Sequence, residues 1–530
     1  MQSLLDAIGY GRWILPVLLL LPLMGAAAVW VATPHGADDL DHADPAMAQL
    51  AARPRAIAGA VLAAWFVLGS GLWFAFDASQ PGWQFVAEGE WLPDFGATFS
   101  VGVDGLSLML VLLTLLLVPL SVWGTWESIR TRTRSYYALT LLLASGLLGA
   151  FVSLDVLQFY VAWEVMLVPM YLIIGIFGGE RRLEAAMKFV LFTIFGSLLM
   201  LVAIIVLWRE TGGGSFHLDR LLEAPPLAAT TARWLFAAFF LAFAVKIPLV
   251  PLHTWLPDTH VEAPTGASVL LAGIMLKVGA YGVLRFAVPL FPAAALGPAT
   301  RTVILVLAVG AILFGALVAL AQRDLKRLVA YSSIGHMGFV VLGIFALTLQ
   351  SVQGAMMILL SHGLTAAANF LVVGMIKQRT GTRLLDALGG LARVLPLLSA
   401  FMAFAALANL GLPGTAGFVG EFLVLFGAWK ASPALAIVAA AGVVLGAVYV
   451  LWSLQRVIFN PLGDPAWRAL PDLTRRELSV LGTLSVLVLW LGVHPGPVLR
   501  RLEPAAVRFL ELTTRGVPPS PPLLLSQPLP

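Results

Sequence analysis

Long apolar runs recur along the chain from near its beginning to near its end. Each is at least about 18 residues long, enough to cross a hydrocarbon core of roughly 30 Å as an α-helix. The pattern predicts roughly fourteen transmembrane helices, at residues 13–31, 57–76, 103–126, 136–154, 156–177, 185–208, 233–252, 262–286, 302–320, 328–348, 352–375, 396–429, 434–456 and 479–498.

Two of these helices are interrupted. The seventh contains Pro248, Pro251 and Pro257, and the twelfth contains Gly411 and Pro413. Proline removes a backbone donor and clashes with the preceding turn, so we expect both helices to break. Backbone groups freed at membrane depth persist only inside protein or beside water, so each break predicts a polar cavity.

The two breaks are five helices apart. Matching broken helices in two halves are typical of transporters built from internal repeats. We therefore predict an all-α polytopic membrane protein with two five-helix repeats, at 136–286 and 302–456. Because five is odd, the second repeat would be inverted. Residues 1–135 would hold three helices and an interfacial connection at 77–100. Residues 457–530 would hold the last transmembrane helix and a periplasmic tail.

Composition excludes several classes of protein. The chain is 60% hydrophobic and 11% charged, whereas soluble domains are about 25% charged. A net charge of +4 spread over short loops argues against nucleic acid and suits contact with anionic lipid. With no cysteine, disulfides, thiolate zinc sites and Cys-ligated iron–sulfur clusters are excluded. Neither a phosphate-binding nor a dinucleotide-binding glycine motif is present.

Arginine and lysine are more frequent in the loops after the first, third, fifth, ninth, eleventh and thirteenth helices than in the opposite set. By the positive-inside rule, these loops face the cytoplasm and both termini face the periplasm.

Four ionisable residues lie within the apolar helices, namely Glu164, Lys246, Lys277 and Glu421. A charge at the centre of a bilayer costs about 2.5–3.5 kcal/mol on insertion scales, so these side chains are expected to face partners or water. They form either ion pairs that hold the bundle together or a proton path. The path is favoured because the residues occupy several helices and two lie next to the breaks.

A buried lysine suits proton transfer. Burial disfavours its charged form and a nearby carboxylate favours it, so moving the carboxylate away can release a proton. Glu164 and Lys246 are the candidate pair. Lys188 follows Glu184 by four residues, a spacing that favours a local ion pair between them. The alternative is that Lys188 belongs to the proton path.

Histidines add a second group of candidates. His253 and His260 flank the break in the seventh helix, and the case for His260 is weaker because its position also fits a loop. Such residues can transfer protons near neutral pH or simply hydrogen-bond between helices. Two further polar stripes at helical spacing have the same two interpretations: Ser332, Ser333 and His336, and His362, Thr365 and Asn369.

Several stretches resemble a known family. They are WEVMLVPMYLIIGIFG, AVKIPLVPLHTWLPDTHVEAPTGASVLLAGIMLKVGAYGVLRF, RDLKRLVAYSSIGHMGF and SHGLTAAANFLVVG. They resemble the antiporter-like subunits of respiratory complex I (NADH:quinone oxidoreductase) and of multisubunit sodium/proton antiporters. The likeness covers about the fourth to the thirteenth helix.

The resemblance implies a role for each candidate. Glu164 and Lys246 would be the fifth-helix Glu and seventh-helix Lys. Lys277 would be the eighth-helix Lys near the cytoplasmic input, and Glu421 the output residue towards the periplasm. His336 and His362 would lie on the hydrophilic axis between them.

The resemblance also implies a proton-translocating membrane subunit of complex I in the bacterial inner membrane. Its partners would be the other membrane subunits, especially the antiporter-like chains L and N. NAD, FMN and iron–sulfur clusters would lie on other subunits, and this chain would do no redox catalysis. The alternative is a subunit of a multisubunit cation/proton antiporter. A stand-alone transporter of a small solute would need a specific polar pocket, which the sequence does not indicate.

Overall fold

A computed structural model describes residues 5, 7–33 and 45–515 of the chain. The described part is mostly helical, and its main helices are α1 Tyr10–Ala32, α2 Pro45–Ala75, α3 Gly105–Gly124, α4 Thr133–Val152, α5 Val156–Phe177, α6 Arg182–Glu210, α7a Ala229–Lys246, α7b Trp255–Glu262, α8 Thr265–Leu290, α9 Pro298–Leu320, α10 Leu325–Ala346, α11 Leu349–Thr380, α12a Pro396–Asn409, α12b Ala416–Ala431, α13 Pro433–Phe459, α14 Arg475–Val493 and α15 Gly496–Thr514. Short helices at Leu218–Glu223, Pro292–Ala295 and Leu391–Val394 lie between them.

Within the described residues, 13 helices are long and apolar enough to cross a membrane. The predicted twelfth helix is not among them because it is divided into α12a and α12b. Gly411 and Gly414, in the connection, have φ of +85° and +89°, a conformation that favours glycine. The all-α polytopic fold and the break in the twelfth helix are confirmed.

The break in the seventh helix is also present. α7a ends at Lys246 and α7b begins at Trp255. The indole Nε1 of Trp255 donates a 2.9 Å hydrogen bond back to the carbonyl of Val245, one of the groups that the break frees. Pro257 breaks nothing: it lies in the first turn of α7b, where its missing N–H is not needed.

Residues 77–100, expected as an interfacial connection, contain the first strand and most of the second of an antiparallel hairpin. Its strands are β1 Gln84–Leu92 and β2 Ala97–Val103. The hairpin is held to the start of α5, because the amide of Ser100 donates to Gln158 at 2.8 Å and that of Thr98 to Asp155 at 3.1 Å. The sequence analysis did not predict these strands.

The chain divides into two compact units. The first comprises the residues up to Ala242 together with Glu262–Ala267, and the second comprises Phe243–Val261 and the residues from Ser268 onward. In the first, α1 packs on α2 and α4, and α4 on α5. In the second, α9 packs on α10, and α11 packs on α10, α12a and α12b. The segment boundaries expected from the sequence stay predictions.

The end of the described chain is the amphipathic helix α15. Val498, Leu502 and Phe509 are buried, and the helix packs against α11. Arg500 and Glu503 lie on its exposed side. The segment expected only as a tail therefore includes a helix, whereas residues 516–530 lie outside the described residues.

Candidate functional site

The helix that carries Lys277 changes its hydrogen-bond pattern on either side of that residue. Leu271–Met275 and Val283–Ala287 are π-helical, with Leu276–Gly282 in α-helix between them. Such segments are frequent at functional sites. The ammonium group of Lys277, which is fully buried, donates to the carbonyl of Ala272 in the first π-helical segment.

Lys277 makes a second contact with a side chain of α11. Its Nζ lies 2.7 Å from Nδ1 of His362, which is 2% exposed. An ammonium group can only donate hydrogen bonds. When Lys277 is protonated, Nδ1 of His362 must therefore accept, and any proton on the neutral ring must be at Nε2.

His336 of α10 continues the row. Its ring centroid is 5.1 Å from that of His362. Its Nδ1 lies 2.8 Å from the carbonyl oxygen of Ser332, and its Nε2 lies 2.6 Å from that of Asn409. Since a carbonyl only accepts, a ring protonated on both nitrogens satisfies both contacts.

The row ends at Glu421 of α12b. Its Oε1 lies 3.5 Å from Nε2 of His336, and both side chains are largely buried. Glu421 and His336 line a cavity of about 30 Å³, together with Ser332, Asn409 and Tyr449. A cavity of this size has room for about two water molecules, and it has polar groups to bind them.

The break in the twelfth helix supplies part of this site. Asn409 is the last residue of α12a, and its carbonyl accepts from His336. Its side-chain Oδ1 accepts a 3.0 Å hydrogen bond from the hydroxyl of Thr365, and the amide of Asn369 donates to the carbonyl of Ala405 at 3.1 Å. Broken backbone at membrane depth is thereby satisfied within the protein.

Residues 153–446 match a family described as NADH:quinone oxidoreductase/Mrp antiporter, transmembrane. The chain is 42% identical over 446 residues to NADH-quinone oxidoreductase subunit M of Rhodobacter capsulatus, which covers 82% of this chain and 86% of that protein. This chain belongs to the antiporter-like membrane subunits of that family. The resemblance noted in the sequence is confirmed.

Other comparisons agree with this family. NADH-ubiquinone oxidoreductase chain 4 of Chondrus crispus is 40% identical over 442 residues, covering 83% of this chain and 89% of that protein. A chain of respiratory complex I from Thermus thermophilus with bound NADH superposes with a TM-score of 0.83 at 36% identity, covering 94% of this chain and 99% of that one. A chain of the Mrp complex from Dietzia superposes with a TM-score of 0.78 at 25% identity, covering 94% of this chain and 52% of that one.

The structure brings together four of the predicted residues in one buried row, namely Lys277, His362, His336 and Glu421. Sequence reasoning missed Asn409, although it lies two residues before Gly411 at the break, because its contribution to His336 is a backbone carbonyl. Tyr449, which also lines the cavity, lies in an apolar run that gave no signal.

Lys246 and His253 also lie in the second unit. Lys246 is the last residue of α7a and is fully buried. A Cβ atom on Gly279 of α8 would be 3.0 Å from Cβ of Lys246, so this glycine allows close packing beside it. His253, in the α7 break, is 6% exposed and makes an edge contact with Phe314 at 4.9 Å.

Glu164 and Lys188 lie in the first unit, on the neighbouring helices α5 and α6. Both are half-buried, and Glu164 lies one helical turn after Tyr160 in α5. The predicted pairs Glu164–Lys246 and Glu184–Lys188 stay predictions. In the described part of the chain, no group of three or more His, Cys, Asp or Glu could hold a metal ion.

Proposed function

We propose that this chain is a proton-translocating membrane subunit of an NADH:quinone oxidoreductase. Relatives that carry the names subunit M and chain 4 of that enzyme are 40–42% identical over most of their length. The twelfth-helix stretch LPGTAGFVGEF resembles the same member, chain M.

The observation that carries the mechanism is the row of four neighbouring titratable groups in the second unit, namely Lys277, His362, His336 and Glu421. A proton on Lys277 has His362 as its acceptor at 2.7 Å. The neighbouring ring of His336 then takes up this proton. Glu421, at 3.5 Å from His336, receives the proton from it beside the cavity. Each group can hold a proton in turn, and burial keeps the row from exchanging protons freely with bulk solvent.

The remaining candidates would control and extend this row. Lys246 ends the broken helix α7a, so movement of the break would change its surroundings. Glu164 would hold the proton on Lys246 and release it on moving away. His253, in the same break, would link Lys246 to water, and Lys188 would extend the path from Glu164 along α6.

On this proposal, NADH oxidation and quinone reduction take place on other subunits, which hold NAD, FMN and the iron–sulfur clusters. The partners are the other membrane subunits of the complex, chains L and N above all. The chain lies in the bacterial inner membrane with both termini in the periplasm, as the distribution of arginine and lysine predicts.

The alternative is a subunit of a cation/proton antiporter, favoured by the 25% identity and TM-score of 0.78 to a chain of the Mrp complex. A direct test separates the two. The affinity-tagged chain is isolated in mild detergent, and NADH:quinone activity and the co-purifying subunits are measured. We expect NADH:quinone oxidoreductase activity to co-purify with the chain; sodium/proton exchange without this activity would favour the antiporter.

The row itself is tested with Lys277→Met, which keeps most of the side-chain length and removes the titratable group. We expect NADH-driven proton uptake into inverted membrane vesicles to fall about tenfold or more, with normal complex content on a native gel. Lys430→Met, on the exposed side of α12b, is the matched control. Normal proton uptake with Lys277→Met would exclude Lys277 from the path.

A further inference from the structure

Arg379, in the last turn of α11, has a partner for every hydrogen-bond donor of its side chain. Two of its nitrogens donate to the carboxylate of Glu477, at 2.9 and 2.6 Å, and both side chains are buried. The other N–H groups donate to the carbonyls of Met375, Pro471 and Asp472, at 3.3, 2.9 and 3.1 Å. A guanidinium group has five N–H donors, and all five are used.

Asp472 connects this arginine to the first half of the broken twelfth helix. Its backbone carbonyl accepts from Arg379, while its carboxylate accepts from the amides of Leu397 and Leu398, at 2.8 and 3.1 Å. These amides belong to the first turn of α12a, where backbone donors have no partner within the helix. A negative charge is also favourable at that end of a helix. The start of α12a is thus held to the end of α11 through Asp472.

Two further hydrogen bonds join α12a to α11 closer to the break. The amide of Asn369 donates to the carbonyl of Ala405 at 3.1 Å, and the hydroxyl of Thr365 donates to Oδ1 of Asn409 at 3.0 Å. Together with the contact through Asp472, they hold α12a to α11 at three successive levels. Membrane helices lack a hydrophobic driving force for association, so small polar contacts help to decide how they fit together. The three levels therefore fix the position of α12a along α11.

α12a is short, so the place where it starts determines where the break lies. Its 14 residues span about 21 Å at a rise of 1.5 Å per residue, less than a hydrocarbon core of roughly 30 Å. Its last residue, Asn409, carries the carbonyl that lies 2.6 Å from Nε2 of His336. A shift of α12a by one helical turn, about 5.4 Å, would take this carbonyl away from His336.

We propose that Arg379 and Asp472 are positioning residues, which fix α12a along α11 and so hold the carbonyl of Asn409 against His336. This inference rests on the proposed function of the row. Neither residue carries a pumped proton. With the carbonyl in place, the imidazole of His336 is held beside Glu421; without it, the ring is free to turn away from the carboxylate.

The proposal is tested by a double-variant cycle in the assembled complex. Asp472→Ala removes the carboxylate at the start of α12a. Thr365→Val keeps the shape of the side chain and removes the hydroxyl that binds Asn409 at the other end. Independent effects of two distant sites add as free energies, so their losses of proton uptake would multiply. Asp386→Ala is the control, because it removes only an exposed ion pair with Arg456 beyond the end of α11.

We expect each single variant to lower NADH-driven proton uptake per assembled complex severalfold, because two levels of contact remain in each. The double variant should lose more than the product of the two single losses, since only one level then remains. Asp386→Ala should take up protons at the wild-type rate.

Two conservative variants extend the test. Asp472→Asn keeps one acceptor oxygen, so its uptake should lie between wild type and Asp472→Ala, and it replaces that variant in the cycle if Asp472→Ala does not assemble. Arg379→Lys keeps the charge, but an ammonium group has only three donors and cannot serve the same acceptors. We expect Arg379→Lys to lower uptake as Asp472→Ala does.

A double variant that loses no more than the product of the single losses would show that the two ends of α12a act independently, and the proposal would be wrong. It is also wrong if Asp472→Ala or Arg379→Lys pumps at the wild-type rate. Lys277→Met reports separately on the row. If Lys277→Met abolishes uptake in these cases, only the positioning role is refuted; if Lys277→Met pumps normally, the row is refuted and the inference with it.

Discussion

Oε1 of Glu421 lies 3.5 Å from Nε2 of His336, and that same nitrogen lies 2.6 Å from the carbonyl of Asn409. The imidazole therefore already donates to a backbone group at the end of α12a when the carboxylate approaches it. Direct transfer to Glu421 requires the ring to release Asn409, whereas a water in the adjoining cavity can carry the proton without that movement. The break in the twelfth helix and the carboxylate of Glu421 thus contribute to the same site.

Substitution of Glu421 tests whether its titration is needed. Glu421→Gln keeps the shape and hydrogen bonding but cannot take up a proton, so proton uptake into vesicles should fall about tenfold or more. Glu421→Asp should keep part of the activity, and so should Glu421→Lys if any titratable group suffices. Complex content on a native gel is measured in parallel.

If Glu421 only formed a structural ion pair, the order of severity would be reversed. Glu421→Gln would then have a mild effect, and Glu421→Lys would disrupt assembly. Glu421→Gln that assembles normally and pumps at the wild-type rate would show that the carboxylate is not part of the path.

His362 is the link between Lys277 and His336. In His362→Gln, the amide oxygen can still accept from Lys277, but the side chain cannot carry a proton. We expect the complex to assemble and proton uptake to fall about tenfold or more. Ser361→Ala is the matched control, because Ser361 is equally buried and its hydroxyl donates only within its own helix, to Ile358 at 3.3 Å. Equal activity of the two variants would contradict a relay through His362.

The sequence predicted the two helix breaks and each polar stripe because proline, glycine and spacing act locally. It could not predict that His336 and His362 face each other, since that depends on how α10 packs on α11. It missed the role of Asn409 because the group that matters is a backbone carbonyl.

The hairpin β1–β2 was missed for a similar reason. Residues 88–92 of β1 are all exposed, whereas residues 100–103 of β2 are all buried. The strands therefore share no single alternating pattern. β2 is held by its hydrogen bonds to Asp155 and Gln158 at the start of α5, a long-range contact that no local pattern shows.

Glu164 and Lys246 are expected to control the release of the proton rather than to hold the fold together. Lys246→Ala and Glu164→Ala should each abolish or strongly reduce proton uptake and quinone-linked turnover, while the complex still assembles. Tyr160→Phe removes only a hydroxyl one helical turn before Glu164, and should be milder than Glu164→Ala. Wild-type pumping by an assembled Lys246→Ala complex would remove Lys246 from the pathway.

The last prediction concerns Gly411, which combines a left-handed backbone conformation with a close approach to the carboxylate of Glu421. Its φ is +85°, and a Cβ atom there would lie 2.5 Å from Oε2 of Glu421. Gly411→Ala should therefore displace the carboxylate from His336 in addition to straining the backbone. Gly414 in the same connection has φ of +89°, but a Cβ atom there meets open space. Gly414→Ala is thus a control with the same backbone strain, roughly 1–2 kcal/mol, and no contact with Glu421.

We expect both alanine variants to lower the thermal stability of the purified complex by a similar amount, and only Gly411→Ala to lower proton uptake severalfold. The double variant Gly411→Ala with Glu421→Asp, which shortens the displaced side chain by one methylene, should recover part of the uptake relative to Gly411→Ala alone. If Gly411→Ala and Gly414→Ala reduce proton uptake equally, the strain of the connection is responsible, and the close approach of Gly411 to Glu421 has no part in pumping.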